Sequence, residues 1–194
     1  MIIAIAGGSG SGKTTLSNYI FEQNHNKSLL ISLDNYYLNK EEQIKKNGFC
    51  NYDHPLSLDK DLLLKNLHEL ETIGETLIPQ YCFKERNRIG YEKIITKDLI
   101  IIEGLYAINY LKAIESIKIF VDADSDLLFA RRLKRDIKSR DRSFDEIFEQ
   151  YFNEVKPAYK KYILKQKEHS KFIINNNHDI ESFIMQVKDI DIYD

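Results

Sequence analysis

A chain of 194 residues with 43% hydrophobic and 30% charged side chains has an ordinary globular balance, long enough for one well-cored domain and short for two. Its formal net charge of -2 excludes a global pull toward nucleic acid or an anionic membrane, so any anion recognition must come from local clusters. Cys50 and Cys82 are the only cysteines and form no C-x-x-C, which argues against a disulfide framework or zinc site and for two reduced thiols in a cytoplasmic protein. No signal peptide is expected, and no apolar run, Leu99 to Ile102 among them, approaches membrane-spanning length.

The first element is an apolar run, Ile2–Ala6, suited to a buried parallel strand. It leads into Gly7-Gly8-Ser9-Gly10-Ser11-Gly12-Lys13-Thr14, a complete phosphate-binding loop, and a helix expected over Lys13–Gln23 that includes Thr15. Glycines allow successive backbone N–H groups to point into one concavity, and a helix N-terminus favours an anion there. Lys13 has the reach for the β- and γ-phosphates, and the Thr14 hydroxyl is suited to Mg²⁺. Strand, loop and helix together imply a nucleoside triphosphate site.

Further apolar runs at Leu29–Leu33, Leu99–Ile102, Ile117–Val121 and Phe172–Ile174 read as strands. Helical patterns fall at Leu58–Glu71, Ser125–Lys138, Phe144–Glu168 and Ile180–Ile190. The alternation predicts an α/β fold across residues 1–194: a five-stranded parallel sheet with helices on both faces and functional loops at the carboxyl edge. Residues 78–97 hold two β-like runs around charged residues and Gly90, and are expected to form an inserted antiparallel hairpin, whose part near Tyr81–Ile95 is a candidate surface for a homo-oligomer.

Asp34 follows the second strand run, where a carboxylate can take the proton of an attacking hydroxyl, hold water on Mg²⁺, or simply cap a turn. Glu103 ends the third run and suits Mg²⁺, directly or through water; the alternative is a solvated strand end. Tyr52-Asp53-His54-Pro55 offers an aspartate for a sugar diol and an aromatic face, or merely a turn before proline. Seven basic side chains lie between Arg131 and Arg142, with Arg131, Arg135, Lys138 and Arg142 at helical spacing. A solvated helix surface and a nucleic-acid patch are alternatives, but arginines closing over a transferred phosphoryl group fit the phosphate loop better. A nucleotide-switched binding protein is disfavoured: Asn39-Lys40-Glu41-Glu42 lacks the guanine-reading aspartate, and no Asp-x-x-Gly exists.

In this order the motifs resemble the uridine kinase family of P-loop kinases, within the phosphoribulokinase/uridine kinase superfamily, from Ile3 to about Ile174. The resemblance implies ATP-dependent (or GTP-dependent), Mg²⁺-assisted phosphorylation of the 5′-hydroxyl of uridine or cytidine, with no nucleic-acid or membrane partner. It makes Asp34 the base with Tyr37 beside it, Asp53 the holder of the sugar hydroxyls, and Glu103 with Thr14 the metal side. It makes residues 131–142 the lid, with Arg132 and Arg135 on the phosphates, Arg142 near the ribose and Gln150 contacting substrate. Tyr81, Phe83 and Arg88 fit its base-reading segment, but Arg86 stands where histidine is expected. Arginine only donates, so it can bind uracil oxygen or cytosine N3 but cannot accept the uracil N3–H, and it would also suit an anionic substrate. Asp141 replaces a frequent lid glycine, and Asn175-Asn176-Asn177 replaces a Pro-Arg-Gly segment near the adenine.

Overall fold

Strict alternation within short strands builds the core. The computed structural model describes residues 1–140 and 142–188. Its main sheet contains β1 (Ile2–Gly7), β2 (Ser28–Ser32), β5 (Leu99–Glu103), β6 (Ile117–Asp122) and β7 (Phe172–Asn175), all parallel, in the order β2-β5-β1-β6-β7. Ala4, Ala6, Ile100, Ile102 and Phe120 face one core, and Ile3, Ile5, Leu99, Ile101, Ile119 and Val121 face the other. A sheet covered on both faces needs apolar residues at every position, so its strands read as continuous runs.

Helix α1 (Lys13–Gln23) and helix α8 (Ile180–Lys188) cover the second core with Leu16, Ile20, Phe183 and Val187. Each such buried side chain contributes about 1.5–3 kcal/mol. The opposite face is covered by α3 (Lys60–Thr72), through Leu63, Leu67 and Leu70, and by the short α4 (Ala107–Tyr110). A helix predicted to reach Ile190 ends, as described, at Lys188; residues 189 and 190 lie outside the described residues.

The inserted hairpin is present as β3 (Glu75–Cys82) paired antiparallel with β4 (Asn87–Ile95), starting three residues before the predicted boundary. Ile78 and Ile94 pack into the first core while Leu77, Tyr91 and Ile95 stand in solvent. The Tyr36 hydroxyl donates to Asn66 Oδ1 at 3.1 Å, and Asn66 Nδ2 donates to Thr76 Oγ1 at 2.8 Å, fastening the hairpin to α3. Arg88 ties β4 to the same place through Asp59, at 3.2 Å.

Two differences from the predicted elements have local causes. Helix α2 (Lys40–Asn47) was not expected, having Ile44 as its one large apolar residue. It is held by a reciprocal cap between Asn39 and Glu42 and stopped by Gly48 at φ 80. The helix expected over Phe144–Glu168 is helical but not uniformly α. Helix α6 (Phe144–Gln150) passes into π turns at Tyr151–Val155 and Tyr159–Ile163, on either side of the single turn α7 (Lys156–Ala158), then a 3₁₀ segment, Leu164–His169. Pro157 lies in α7, and its missing N–H and bulky ring disrupt the i→i−4 ladder around it.

Candidate active site

The parallel register brings the carboxyl ends of β1, β2 and β5 side by side, with Ser32 and Ile5 both paired to Glu103. This is the edge at which open α/β sheets bind ligands. Above it lies a cleft of about 780 Å³. Its walls include every residue expected to act in catalysis, on the metal or on substrate: Lys13, Thr14, Asp34, Tyr37, Tyr52, Asp53, Tyr81, Phe83, Arg86, Glu103, Arg132, Arg135, Arg142 and Gln150.

The phosphate loop forms the floor. Gly10 (φ 86) and Gly12 (φ 101) occupy left-handed backbone, and a Cβ on Gly10 would stand 2.7 Å from the Leu128 carbonyl oxygen. Ser9, Lys13 and Thr14 face the main cleft, while Gly10, Gly12 and Thr15 join Lys13 and Thr14 in a second cavity of about 390 Å³, closed by Arg131, Asn176 and His178. Gly7, Gly8 and Ser11 line neither cavity. Gly7 ends β1, Gly8 packs beneath Leu128 and Tyr159, and Ser11 accepts a 2.7 Å hydrogen bond from Asn176 at its carbonyl. Asn176, just past the carboxyl end of β7, therefore braces the loop from the same edge of the sheet.

Lys13 is buried, donates to the Gly8 carbonyl at 3.1 Å, and makes no ion pair with a described carboxylate. Burial lowers its pKa, against the nearby charges of Glu103 and Asp34. Glu103 is also buried: Oε1 accepts from the Ser32 hydroxyl at 2.6 Å and Oε2 from Thr14 at 3.4 Å. Burial, reinforced by Asp34, raises its pKa. Two hydroxyls and a carboxylate form a hard-oxygen set suited to Mg²⁺, which completes its octahedron with phosphate and water oxygens. Among the described residues no three-residue cluster of His, Cys, Asp or Glu could cage a metal alone.

The basic wall is built differently from the sequence expectation. Helix α5 (Ser125–Arg140) ends before Arg142, so the predicted face of Arg131, Arg135, Lys138 and Arg142 does not form. Instead Arg131 donates to the Asn176 carbonyl at 2.9 Å, and Arg132, Arg135, Arg140 and Arg142 converge on the main cleft. Arg135 reaches Ser9 Oγ at 3.3 Å, linking α5 to the phosphate loop. Arg132 lies 3.5 Å from Asp53 and 3.1 Å from Gln150, whose Oε1 also accepts from Arg142 at 2.6 Å. Beneath them Asp136 has no exposed surface and meets the guanidinium groups of Arg135 at 2.8 Å, Arg132 and Arg140 at 3.6 Å, and Arg142 at 3.9 Å. Sequence reading missed Asp136 and Arg140; an acidic residue four positions from each of Arg132 and Arg140 was the available signal. Asp141 lies outside the described residues.

Asp53 is almost wholly enclosed, and its carboxylate has one long contact, to Arg132. Burial raises its pKa, with Arg132 opposing. A carboxyl group raised in the folded state adds stability below its ordinary unfolded value, and loses it as pH climbs through the higher folded value. Asp53→Asn is therefore expected to flatten the fall of Tm with pH just above the ordinary carboxylate range. If Asp53 holds the sugar hydroxyls, as the resemblance implies, the substitution should also raise the KM for the sugar-bearing substrate by about tenfold, the worth of one charge-assisted hydrogen bond. Melting curves across pH and titrations with that substrate read the two effects; an unchanged pH slope would show that Arg132 already neutralises Asp53.

The other end of the cleft is aromatic. Tyr37 packs against Tyr52, Tyr81 and Phe83 at ring separations of 5.7, 5.5 and 6.1 Å, and the Arg140 guanidinium covers Phe83 at 4.2 Å. Arg86 stands in the hairpin turn with φ 52.

The chain matches known proteins in both sequence and fold. A family model described as phosphoribulokinase / uridine kinase family matches residues 2–181. A uridine kinase of Ligilactobacillus salivarius is 39% identical over 203 aligned positions, covering 98% of this chain and 93% of its own length. One from Bacillus cytotoxicus is 40% identical over 185 positions, covering 90% and 84% respectively. The solved structure of phosphoribulokinase from Rhodobacter spheroides superposes with a TM-score of 0.65 at 16% identity, over 90% of this chain and 69% of that one, a likeness of fold.

Proposed function

The chain belongs to the phosphoribulokinase/uridine kinase family, and on that premise we propose that it transfers the γ-phosphoryl group of ATP to the 5′-hydroxyl of a pyrimidine ribonucleoside, uridine or cytidine. The observation that carries this reading is one cleft with Lys13 and Thr14 at its floor, Asp34 beside them and Asp53 buried in its wall. A phosphate loop alone holds a triphosphate; two further carboxylates give an acceptor hydroxyl a base and a sugar a partner.

In this reading Lys13, the loop amides, Arg132 and Arg135 hold the donor phosphates and offset charge that develops on the transferred group. Thr14 and Glu103 would hold Mg²⁺, which would supply positive charge to offset that of the donor phosphates. Asp34 orients the acceptor hydroxyl and takes its proton. Asp53, with Arg142 and Gln150 behind it, holds the sugar hydroxyls, and Tyr37, Tyr52, Tyr81 and Phe83 surround the base. The second cavity, with Arg131 and His178 at its rim, receives the donor nucleoside. The reaction is a step of nucleoside salvage, which we assign to the cytoplasm; the free thiols of Cys50 and Cys82 support that assignment. Among the described residues no helix is long and apolar enough to cross a membrane.

The test is turnover of the purified protein with Mg²⁺ and ATP or GTP against nucleosides, sugar phosphates and hydroxy acids. ADP release coupled to formation of a nucleoside 5′-monophosphate by ³¹P NMR is expected for uridine or cytidine. Turnover confined to a sugar phosphate or hydroxy acid would refute the nucleoside assignment.

A further inference from the structure

Three consecutive asparagines mark the end of β7, and each is committed to a different neighbour. The Asn175 N–H donates to Gln186 Oε1 at 2.9 Å and its carbonyl accepts from Gln186 Nε2 at 2.8 Å, which fastens the segment to α8. Asn177 Oδ1 accepts from the Asp124 N–H at 2.8 Å, and the Asn177 N–H donates to Asn175 Oδ1 at 3.0 Å. Between them the Asn176 N–H donates to the Asp122 carbonyl at 2.8 Å, and the Asn176 carbonyl accepts from Arg131 at 2.9 Å. With its backbone held on both sides, Asn176 sends its side chain across to the phosphate loop, where Nδ2 donates to the Ser11 carbonyl at 2.7 Å. The approach is close enough to require glycine at position 12, because a Cβ there would stand 2.4 Å from Nδ2.

What this bond does follows from the peptide that carries it. The Ser11 C=O and the Gly12 N–H belong to one planar trans unit, so drawing the carbonyl toward Asn176 turns the Gly12 N–H the opposite way. That N–H pairs with no described residue, and neither do the N–H groups of Lys13, Thr14 and Thr15. Free amides at the start of a helix are the groups an anionic phosphate takes. In a continuing α-helix the Ser11 carbonyl would accept from the Thr15 N–H, four residues on. Asn176 gives that carbonyl a donor from outside the helix, and the Thr15 amide stays open. Gly12 and Thr15 both line the second cavity.

Resting on the reading of this edge as a nucleoside triphosphate site, we propose that Asn176 is a positioning residue for the donor, holding the phosphate loop in the form whose amides meet the triphosphate. It acts through the loop and not on the reacting atoms, so its effect falls on donor affinity. Asn176 also lines the cavity assigned to the donor nucleoside, and direct contact with the donor base is the competing role. The two roles differ in what they do to a ligand that has the phosphates and no base.

Inorganic tripolyphosphate with Mg²⁺ is that probe. In Asn176→Ala its affinity by calorimetry is expected to fall about five- to tenfold, the worth of one hydrogen bond, and the affinity for ATP by the same factor. The KM for ATP should rise in step, while kcat stays within about twofold and the KM for uridine or cytidine does not move. Tm should drop by only about 2–4 °C. Asn176→Asp keeps the size and the backbone bonds but places only acceptors opposite the Ser11 carbonyl, so tripolyphosphate should weaken further than in the alanine variant. Unchanged tripolyphosphate affinity in both variants would overturn the proposal; if ATP alone weakened, Asn176 would be a contact of the donor base. Matching losses in kcat and in the KM of both substrates, beside a larger fall in Tm, would make it a support of the fold and no more. Failure of the wild-type protein to bind either ATP or tripolyphosphate would instead bring down the triphosphate reading itself.

Discussion

Asp34→Asn is expected to lower kcat by about 10²–10⁴-fold, the usual worth of a positioned general base, while leaving ATP affinity within about twofold. The substitution is nearly isosteric, and the Asp34 backbone amide would keep its 3.3 Å hydrogen bond to Ser32 Oγ, so the turn at Leu33–Tyr36 should hold. What disappears is a charge beside Lys13, Tyr37 and Glu103. Asp34 helps to raise the pKa values of Tyr37 and Glu103 and opposes the burial that lowers Lys13. Its removal should therefore also shift the acid limb of the kcat profile to lower pH, as Glu103 ionises more readily. Steady-state ADP release over a pH series, with ATP affinity by calorimetry, separates the effects. Wild-type kcat in the variant would exclude Asp34 as the base; a matching loss of ATP affinity would move its role to the donor side.

How much of this was legible in the sequence depends on how local the signal is. The phosphate loop, the five parallel strands and Glu103 were readable because a doubly covered sheet demands unbroken apolar runs, and because loop chemistry is written in consecutive residues. Helix α2 carried its signal in Asn39, Glu42 and Gly48, a start and a stop, but with Ile44 nearly alone it had no apolar stripe to announce it. The π turns around Pro157 were legible only as a fault in an otherwise helical pattern.

The aromatic end of the cleft was not written locally at all. Tyr37, Tyr52, Tyr81 and Phe83 meet because β3 crosses beside the Leu33–Tyr36 turn, with the Tyr81 amide donating to Asn35 Oδ1 at 3.3 Å. A register shift between Gln80 and Tyr81 accompanies that contact. Neither feature follows from spacing, and only the family resemblance put those residues on one list. The arginine segment was misread in a different way: seven positive charges drew attention to what they would bind and away from the carboxylate among them.

That carboxylate carries the second large effect. Asp136→Asn is expected to destabilise the fold by about 3 kcal/mol, at the lower end of the cost of breaking a buried ion pair, because Arg132 alone of its partners is comparably enclosed. For a chain of this length that corresponds to a fall in Tm of about 6–12 °C. Arg135 places both Nε, at 2.9 Å, and Nη2, at 2.8 Å, on one Asp136 oxygen, and this is the contact that aims it at Ser9 and the phosphate loop. Without the negative charge, four guanidinium groups repel one another around a neutral amide, and Asp53 is left as the buried counter-charge to Arg132. Displacing catalytic groups by about 1 Å costs on the order of 10²-fold, so kcat/KM for ATP should drop by a comparable factor, with KM rising more than kcat falls. Added salt should recover part of the lost Tm by screening the arginines, whereas it should barely affect the wild-type value. Melting curves at low and high ionic strength, read beside ATP kinetics, decide the matter. Unchanged Tm at low salt would mean that Gln150, Ser9 and Asp53 suffice to hold the arginines. A lower Tm with intact kinetics would make Asp136 a support of the fold and remove it from the alignment of the arginine cluster.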